Sequence, residues 1–207
     1  MDLHKLKLEQ KRLARKVSLK DSFTTVKTIG AAACSVYKNK LIASVIVCDF
    51  PSLKMIEKKK YVLENPLPYR SGFKAYREMP AIIEAFNLLE CEPDVLLVDG
   101  CGINHLQGLG LASHLGLALN VATIGITSKL PFGKIEKSKI LVDDTLCGFE
   151  IKTKEHANSI YIVAGHNIAV GSVLHLIPKL IVAPHKLPEP LHIAMRIAKK
   201  KAKVSEE

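Results

Sequence analysis

A short apolar run followed by an acidic, glycine-rich loop constrains the fold of this chain more than any other feature. The run covers residues 95–98, and it is followed by Asp99, by the glycines Gly100 and Gly102, and by His105. Four consecutive apolar residues are typical of a strand buried on both faces of a sheet. Open α/β sheets carry their reactive groups at the carboxyl ends of such strands, where Asp99 falls. Asp99 and His105 could share a divalent cation or an activated water. Alternatively, the segment is an ordinary turn with a solvated His105.

The rest of the chain predicts an α/β fold with one mixed sheet. Three strands in succession are followed by alternating helices and strands in the order βββαβαβ, which places helices on both faces of the sheet. The predicted strands cover residues 25–36, 41–50, 53–63, 95–98, 121–126, 140–142, 149–152 and 160–163, and the predicted helices cover residues 3–17, 73–89, 109–119, 169–176 and 191–201. We expect a single domain over residues 1–207, with a basic, disordered tail over residues 199–207.

Charge and cysteine usage narrow the class of protein. The net charge of +10 favours a polyanionic partner such as nucleic acid, although the seven Lys and Arg residues among the first twenty also suit a solvated helix face. The five cysteines form no CxxC pair, so neither a zinc site nor a disulfide framework is predicted. A reducing compartment is expected, the cytoplasm or, in a eukaryote, the nucleus. We expect no signal peptide, no membrane span and a monomer.

Six short motifs then occur in order along the chain. The longest are PYRSGFKAYRE at residues 68–78 and VDGCGINH at residues 98–105; the others are LGLASHLG (109–116), TIG (123–125), GH (165–166) and PEP (188–190). The first two resemble the P-Y-x-x-G-x-x-A-[FY]-R-E and D-G-x-G-x-x-H signatures of the endonuclease V family, nucleases that nick nucleic acid near inosine. The resemblance covers residues 6–198, and it implies a ribonuclease-H-like fold, in agreement with the order βββαβαβ.

The resemblance also implies a catalytic set made of Glu78, Asp99 and His166. Glu78 and Asp99 match carboxylates that bind Mg²⁺, with Mn²⁺ as a substitute, and His166 matches a histidine near the attacking water or the phosphate. A carboxylate-bound divalent ion stabilises charge on the phosphate and lowers the pKa of its bound water. The residues taken alone equally allow a surface glutamate at Glu78 and a buried structural histidine at His166.

Recognition is implied to follow base flipping, with inosine-containing DNA or RNA as the partner. Tyr69 matches a wedge residue that fills the gap left by the flipped base, and aromatic stacking on a base is worth roughly 1–3 kcal/mol. Gly100 and Gly102 are expected to let main-chain amides approach the purine, because glycine has no side chain to block it. The implied substrate-binding residues are Tyr69, Gly72, Gly100, Gly102, His105, Ser128 and Lys129, the last two standing where the family has one lysine. His114 is expected to be structural.

One departure from the family concerns the first strand, where a motif of the type [IV]-x-G-[VI]-D-x-[SA]-[FY] supplies a catalytic aspartate. Alignment on Ser35 places Ala33 at that position. The side chain of Cys34 is expected to point to the opposite face of the sheet and to be a poor Mg²⁺ ligand, and Asp49 could reach the site only after a change of register. Two hypotheses follow: a metal-dependent endonuclease, intact or weakened, and a non-catalytic relative that binds inosine or structured nucleic acid. A scaffold protein with another partner is a third. We expect reduced cleavage.

Overall fold

The chain folds into one nine-stranded mixed sheet with helices on both faces. The structure is a computed structural model that describes residues 2–204. The strands are β1 (Thr28–Tyr37), β2 (Lys40–Asp49), β3 (Met55–Glu64), β4 (Val95–Asp99), β5 (Ala122–Thr127), β6 (Lys134–Glu136), β7 (Lys139–Val142), β8 (Thr145–Ile151) and β9 (Ile160–His166). The helices are α1 (Leu3–Ala14), α2 (Lys74–Asn87), α3 (Leu111–Leu119), α4 (Val170–Leu176) and α5 (Glu189–Val204), with a 3₁₀ helix at Ile177–Leu180.

The strand order across the sheet is β3-β2-β1-β4-β5-β9-β8-β7-β6. The central strands β1, β4 and β5 are parallel, and the flanking pairs are antiparallel. The carboxyl ends of the three parallel strands therefore meet at one edge of the sheet, and Asp99 is the last residue of β4. The predicted order βββαβαβ is confirmed, as is the mixed sheet between helices.

The sheet separates two apolar layers because side chains alternate along each strand. On one face, Ile29 and Ala33 of β1 pack with α4 and α5, and on the other Ala32 packs with α2 and α3. Burying each large aliphatic side chain in such layers contributes about 1.5–3 kcal/mol. Ala33 and Cys34 consequently belong to opposite faces, a difference that matters at the functional site.

Two parts of the fold differ from the sequence-based expectation. Strand β6, only three residues long and exposed throughout, was not predicted because it buries no apolar side chain and carries no periodicity. Helix α5 extends to Val204, so the tail predicted to be disordered from residue 199 is helical as far as that residue. The buried Ala194 and Ala198, one helical turn apart, hold this helix against the sheet. Residues 205–207 lie outside the described residues.

None of the helices among residues 2–204 is both long enough and apolar enough to cross a membrane.

Candidate nucleic-acid-binding and catalytic site

The loop that follows β4 is fixed against neighbouring strands. The amide of Gly100 donates to the carbonyl of Ile126 in β5 at 3.1 Å, and the amide of Ile103 donates to the carbonyl of Ala164 in β9 at 3.0 Å. These bonds hold the loop at the carboxyl end of the parallel strands. The alternative of a free, solvated turn is therefore wrong for this segment.

His105 ties this loop to the loop that precedes α2. Its Nδ1 accepts from the amide of Gln107 at 3.2 Å, so Nε2 carries the proton and donates to the carbonyl of Gly72 at 3.1 Å. Gln10 of α1 donates to the same carbonyl through Nε2 at 3.0 Å. Burial lowers the pKa of His105, and the bond to Gly72 raises it by a smaller amount. The net lowering of the pKa favours the neutral imidazole. Gly72 has a φ of +79°, which turns its carbonyl toward both donors and favours glycine.

A cavity of about 190 Å³ lies between the two loops. Tyr69 stands at its rim with 62% of its surface exposed, as a stacking residue would. Four of the residues expected to bind substrate thus share one cavity. Its lining comprises Gln10, Tyr69, Ser71, Gly72, Lys74, Ala75, Gly100, Cys101, His105, Leu109, Gly110, Leu111, Thr127 and Pro131.

The other three residues expected to bind substrate lie elsewhere. Gly102 is buried against β9, where an added Cβ would lie 2.1 Å from the carbonyl oxygen of Ala164. Its lack of a side chain is needed for packing, which corrects the expectation that it faces a purine. Ser128 and Lys129 are exposed in the turn after β5 and do not line the cavity, whereas Thr127, at the end of β5, does. A turn of this kind carries no periodicity from which its direction could have been predicted.

Glu78 and Asp99 are brought together, and the ammonium of Lys74 lies between them. Lys74 precedes Glu78 by one helical turn of α2, and its Nζ lies 3.6 Å from Glu78 Oε2 and 3.8 Å from Asp99 Oδ2. The same Nζ donates to the main-chain carbonyl of Asp99 at 2.6 Å. Glu78 is 8% exposed, so the surface position that its sequence also allowed is wrong.

The charges of this cluster are coupled. Burial raises the pKa of Glu78, while Lys74 acts in the opposite direction. Burial lowers the pKa of Lys74, but Asp99 and then Glu78 outweigh it, so the pKa lies above its ordinary value. The lysine is therefore a fixed positive charge at this point.

Strand β1 presents no carboxylate to this cluster. Ala32 pairs with Val98, so the parallel register, extended by one residue, places Ala33 beside Asp99. Cys34 lies on the opposite face of the sheet from Ala33. Glu78 approaches from the face of Cys34. Burial raises the pKa of the Cys34 thiol, and Glu78, through its charge and a hydrogen bond, raises it further. The expectation that Cys34 points to the opposite face of the sheet is therefore confirmed, and α2 contributes Glu78 from that same face.

These groups do not fit a divalent metal as they stand. Mg²⁺ requires several oxygen ligands at short range, and a protonated thiol is a poor substitute. The two carboxylates already contact an ammonium group, and no cluster of three or more His, Cys, Asp and Glu side chains among residues 2–204 could hold a metal ion. No catalytic step through a metal is derived from this arrangement.

His166 is not brought to the carboxylates. It ends β9 and pairs with Thr123, whereas the β5 partner of Asp99 is Ile126, three residues further along. Its Nδ1 accepts from the amide of Ser18 at 3.1 Å, and burial lowers its pKa. The structure therefore places the buried His166 away from Asp99, because β9 runs antiparallel to β5, and a catalytic role for it stays a prediction.

Asp49 likewise cannot replace the missing carboxylate. It pairs with Thr28 at the start of β1, and Ser52 Oγ donates to its carboxylate at 2.5 Å. Ala33, in the middle of β1, lies five residues further along the strand than Thr28, a distance of roughly 16 Å.

His114 is buried in α3 with its ring edge-on to Tyr76, as expected of a structural histidine. Three residues of the site, Gln10, Cys34 and Lys74, were not predicted. Gln10 and Lys74 are polar residues in helices, where a solvated side chain is the ordinary interpretation. A signal existed only for Lys74, which lies inside the PYRSGFKAYRE motif.

The comparisons with known proteins show the family to which the chain belongs. The family model Endonuclease V matches residues 11–196. The endonuclease V of Dictyoglomus thermophilum is 30% identical over 92% of this chain and 87% of its own length, and that of Nostoc sp. is 34% identical over 75% and 74%.

Solved structures extend the match to the whole fold. The endonuclease V of Bacillus subtilis is 25% identical with a TM-score of 0.89, over 100% of this chain and 95% of that one. The catalytic domain of human endonuclease V is 25% identical with a TM-score of 0.88, over 98% and 96%. A Ciona intestinalis endonuclease V, solved with a DNA that contains inosine, shares the fold at 22% identity and a TM-score of 0.89, over 99% of each chain. The expected ribonuclease-H-like fold is confirmed, and the chain belongs to the endonuclease V family.

Proposed function

We propose that this protein recognises inosine in DNA or RNA through the cavity between the loop that precedes α2, which carries Tyr69, and the loop that follows β4. The observation that carries the proposal is the shared lining of this cavity by Tyr69, Gly72, Gly100 and His105. The net charge of +10 supports a nucleic-acid partner, because lysine and arginine side chains release counterions from phosphates. The inosine-containing DNA bound to the Ciona protein supports the same ligand.

The family is one of nucleases that generally depend on a metal ion, and we propose phosphodiester cleavage 3′ to inosine as the reaction, at a reduced rate. Glu78 and Asp99 are in place, but β1 offers Ala33 and Cys34 instead of a carboxylate. Losing one carboxylate weakens the attraction for a cation that must stabilise the transition state. We therefore expect the missing carboxylate to lower the cleavage rate more than the affinity for nucleic acid. Mg²⁺ and Mn²⁺ are the ions to test.

A second candidate function is non-catalytic binding of inosine. The observation that favours it is the ammonium of Lys74 between the two carboxylates. In this case the protein would retain or mark modified nucleic acid without cutting it.

Binding and nicking of matched oligonucleotides test both candidates. Labelled DNA and RNA strands with one inosine, or with adenosine at the same position, are incubated with the protein in Mg²⁺ and in Mn²⁺. We expect tighter binding to the inosine strands and slow nicking of them. Equal affinity for both strands would contradict the recognition proposal, and absence of binding would favour the scaffold interpretation.

Two variants, each of which adds a carboxylate to β1, distinguish weakened catalysis from absent catalysis through their nicking rates. Ala33→Asp places the carboxylate beside Asp99, and Cys34→Asp places it on the neighbouring face beside Glu78. We expect Ala33→Asp to raise the nicking rate and Cys34→Asp to serve as its matched control. Rapid nicking by the unmodified chain would rule out the weakened site, and no nicking by any of the three proteins would leave binding as the function.

A further inference from the structure

Lys74 is a charged side chain at this site to which the proposed cleavage assigns no role. It contacts three oxygens from two elements, namely Glu78 Oε2, Asp99 Oδ2 and the main-chain oxygen of Asp99. An ion pair on an open surface would hold its two side chains only weakly in place, because water screens their charges. Here one partner, Glu78, is 8% exposed, and the lysine side chain itself is about one-third exposed at 32%. The ammonium is thus held at a fixed position.

The contacts of Lys74 are those expected of a cation bound between two acids. Carboxylate and carbonyl oxygens are the groups that bind hard divalent ions in proteins. A second cation placed against Glu78 and Asp99 would meet the positive charge of Lys74 at close range, where like charges repel strongly. The lysine and a divalent ion therefore compete for the same oxygens.

The neighbouring strand reinforces this competition. A third carboxylate would give the site enough negative charge for both cations. Ala33 and Cys34 provide none, since one is an apolar methyl group and the other a thiol. With two carboxylates and one ammonium, little charge remains to attract a divalent ion.

Lys74 also faces the proposed ligand. Its side chain lines the cavity together with Tyr69 and Gly100. A nucleotide whose base enters this cavity would bring its phosphates to the rim, within reach of a partly exposed ammonium. Lysine is a common phosphate-binding residue and acts there as a point charge.

We infer that the Lys74 ammonium is the resident cation of this site, in the place of a divalent metal between Glu78 and Asp99, and that it makes nucleic-acid binding independent of divalent ions. The second half of this inference rests on the proposed function; the first half does not.

Titration of Mn²⁺ into the nucleic-acid-free protein by calorimetry tests the first half. We expect Mn²⁺ to bind the unmodified chain too weakly to be detected, which is compatible with slow nicking. The variant Ala33→Asp should bind Mn²⁺ weakly, and the double variant Ala33→Asp/Lys74→Met should bind it at least roughly tenfold more tightly, because the competing charge is gone. Equal affinities of the single and double variants would overturn the inference.

A thermal measurement on the unmodified chain keeps the test decisive if an aspartate in place of the buried Ala33 prevents folding. A ligand that binds the native state raises the melting temperature. We expect the melting temperature to be the same in EDTA and in millimolar Mn²⁺. A rise in Mn²⁺ that Glu78→Gln abolishes would overturn the inference.

Fluorescence anisotropy with an inosine-containing DNA strand tests the second half. The unmodified chain should bind equally well in EDTA and in Mg²⁺. Lys74→Met should lose roughly tenfold in affinity in EDTA, whereas Lys154→Met, an equal loss of charge in an exposed loop far along the chain, should change it little. Binding by the unmodified chain that requires Mg²⁺, or equal effects of the two variants, would overturn this half. If no inosine strand binds at all, the proposed function fails while the Mn²⁺ titrations still decide the place of Lys74.

Discussion

The ammonium of Lys74 donates to the main-chain carbonyl of Asp99 at 2.6 Å, so the first turn of α2 is fastened directly to the end of β4. A single side chain thus contacts both carboxylates of the candidate site. The same contact shows why membership of a nuclease family does not by itself establish a metal site. The family motifs are present, but the charge between them is supplied by the protein.

This contact should contribute to stability. Lys74→Met removes a charged hydrogen bond and leaves the buried Glu78 beside Asp99 with only the weaker influence of the Arg77 charge to offset their repulsion. Because the lysine is partly exposed, we expect a loss of about 1–2 kcal/mol in the free energy of unfolding. Urea denaturation measures it, with Lys154→Met as the surface control. A loss no larger than that of the control would contradict the prediction.

Tyr69 should contribute to affinity and not to folding. Its ring is mostly exposed, so Tyr69→Ala should leave the melting temperature unchanged while inosine strands bind about 5- to 150-fold more weakly, the equivalent of roughly 1–3 kcal/mol of stacking. Tyr69→Phe keeps the ring and should keep the affinity. Anisotropy with the inosine strand distinguishes the two, and a similar loss in both variants would mean that the hydroxyl, not the ring, is responsible.

Gly72 should tolerate no side chain. At a φ of +79° an alanine is strained by about 1 kcal/mol, and relief of the strain would swing the carbonyl away from Gln10 and His105. We therefore expect Gly72→Ala to lower both the melting temperature and the affinity for inosine strands. Gly171→Ala is the matched control, because open space surrounds that position. Equal melting temperatures for the two variants would contradict this account.

The protein should lose stability in mild acid. Burial lowers the pKa of His105, His114 and His166 in the folded state, so the unfolded chain takes up protons more readily. The stabilising effect of the neutral rings is complete above the unfolded value of about 6.5. It decreases as the pH falls below that value and through the lowered pKa of each folded histidine.

Urea denaturation at pH 7.5 and pH 5 measures this dependence. His105→Gln retains a neutral side chain and should reduce the slope with pH, whereas the exposed His156→Gln should leave it unchanged. A stability that rises on acidification would contradict the sign of the effect.

The core of the sheet was predictable because the strands β1, β2, β4 and β5 are apolar runs bounded by turns. The run over residues 95–98 could only be a buried strand, and its order among its neighbours gave the mixed sheet. The edge strand β6 was not predictable, because it is short, polar and exposed on both faces. The helical extent of α5 was missed because a lysine-rich end resembles a solvated tail, although Ala194 and Ala198 anchor the helix.

The candidate site was predictable in part. Tyr69, Gly72, Gly100 and His105 were expected and share one cavity, while Ser128 and Lys129 depend on the direction of a turn that no local pattern fixes. The distance of His166 from the carboxylates was not predictable, because the position of a residue in a motif does not tell which end of an antiparallel strand it occupies.

The sequence by itself determined the family, the order of strands, the pair Glu78 and Asp99, and the absence of an acid from β1, because each depends on local pattern and residue type. Only the tertiary structure decided that Lys74 lies between the carboxylates, that Cys34 faces Glu78, and that His105 joins two loops. Those relationships depend on the angle at which α2 packs on the sheet and on the paths of two loops. Neither is encoded in any one segment of the chain.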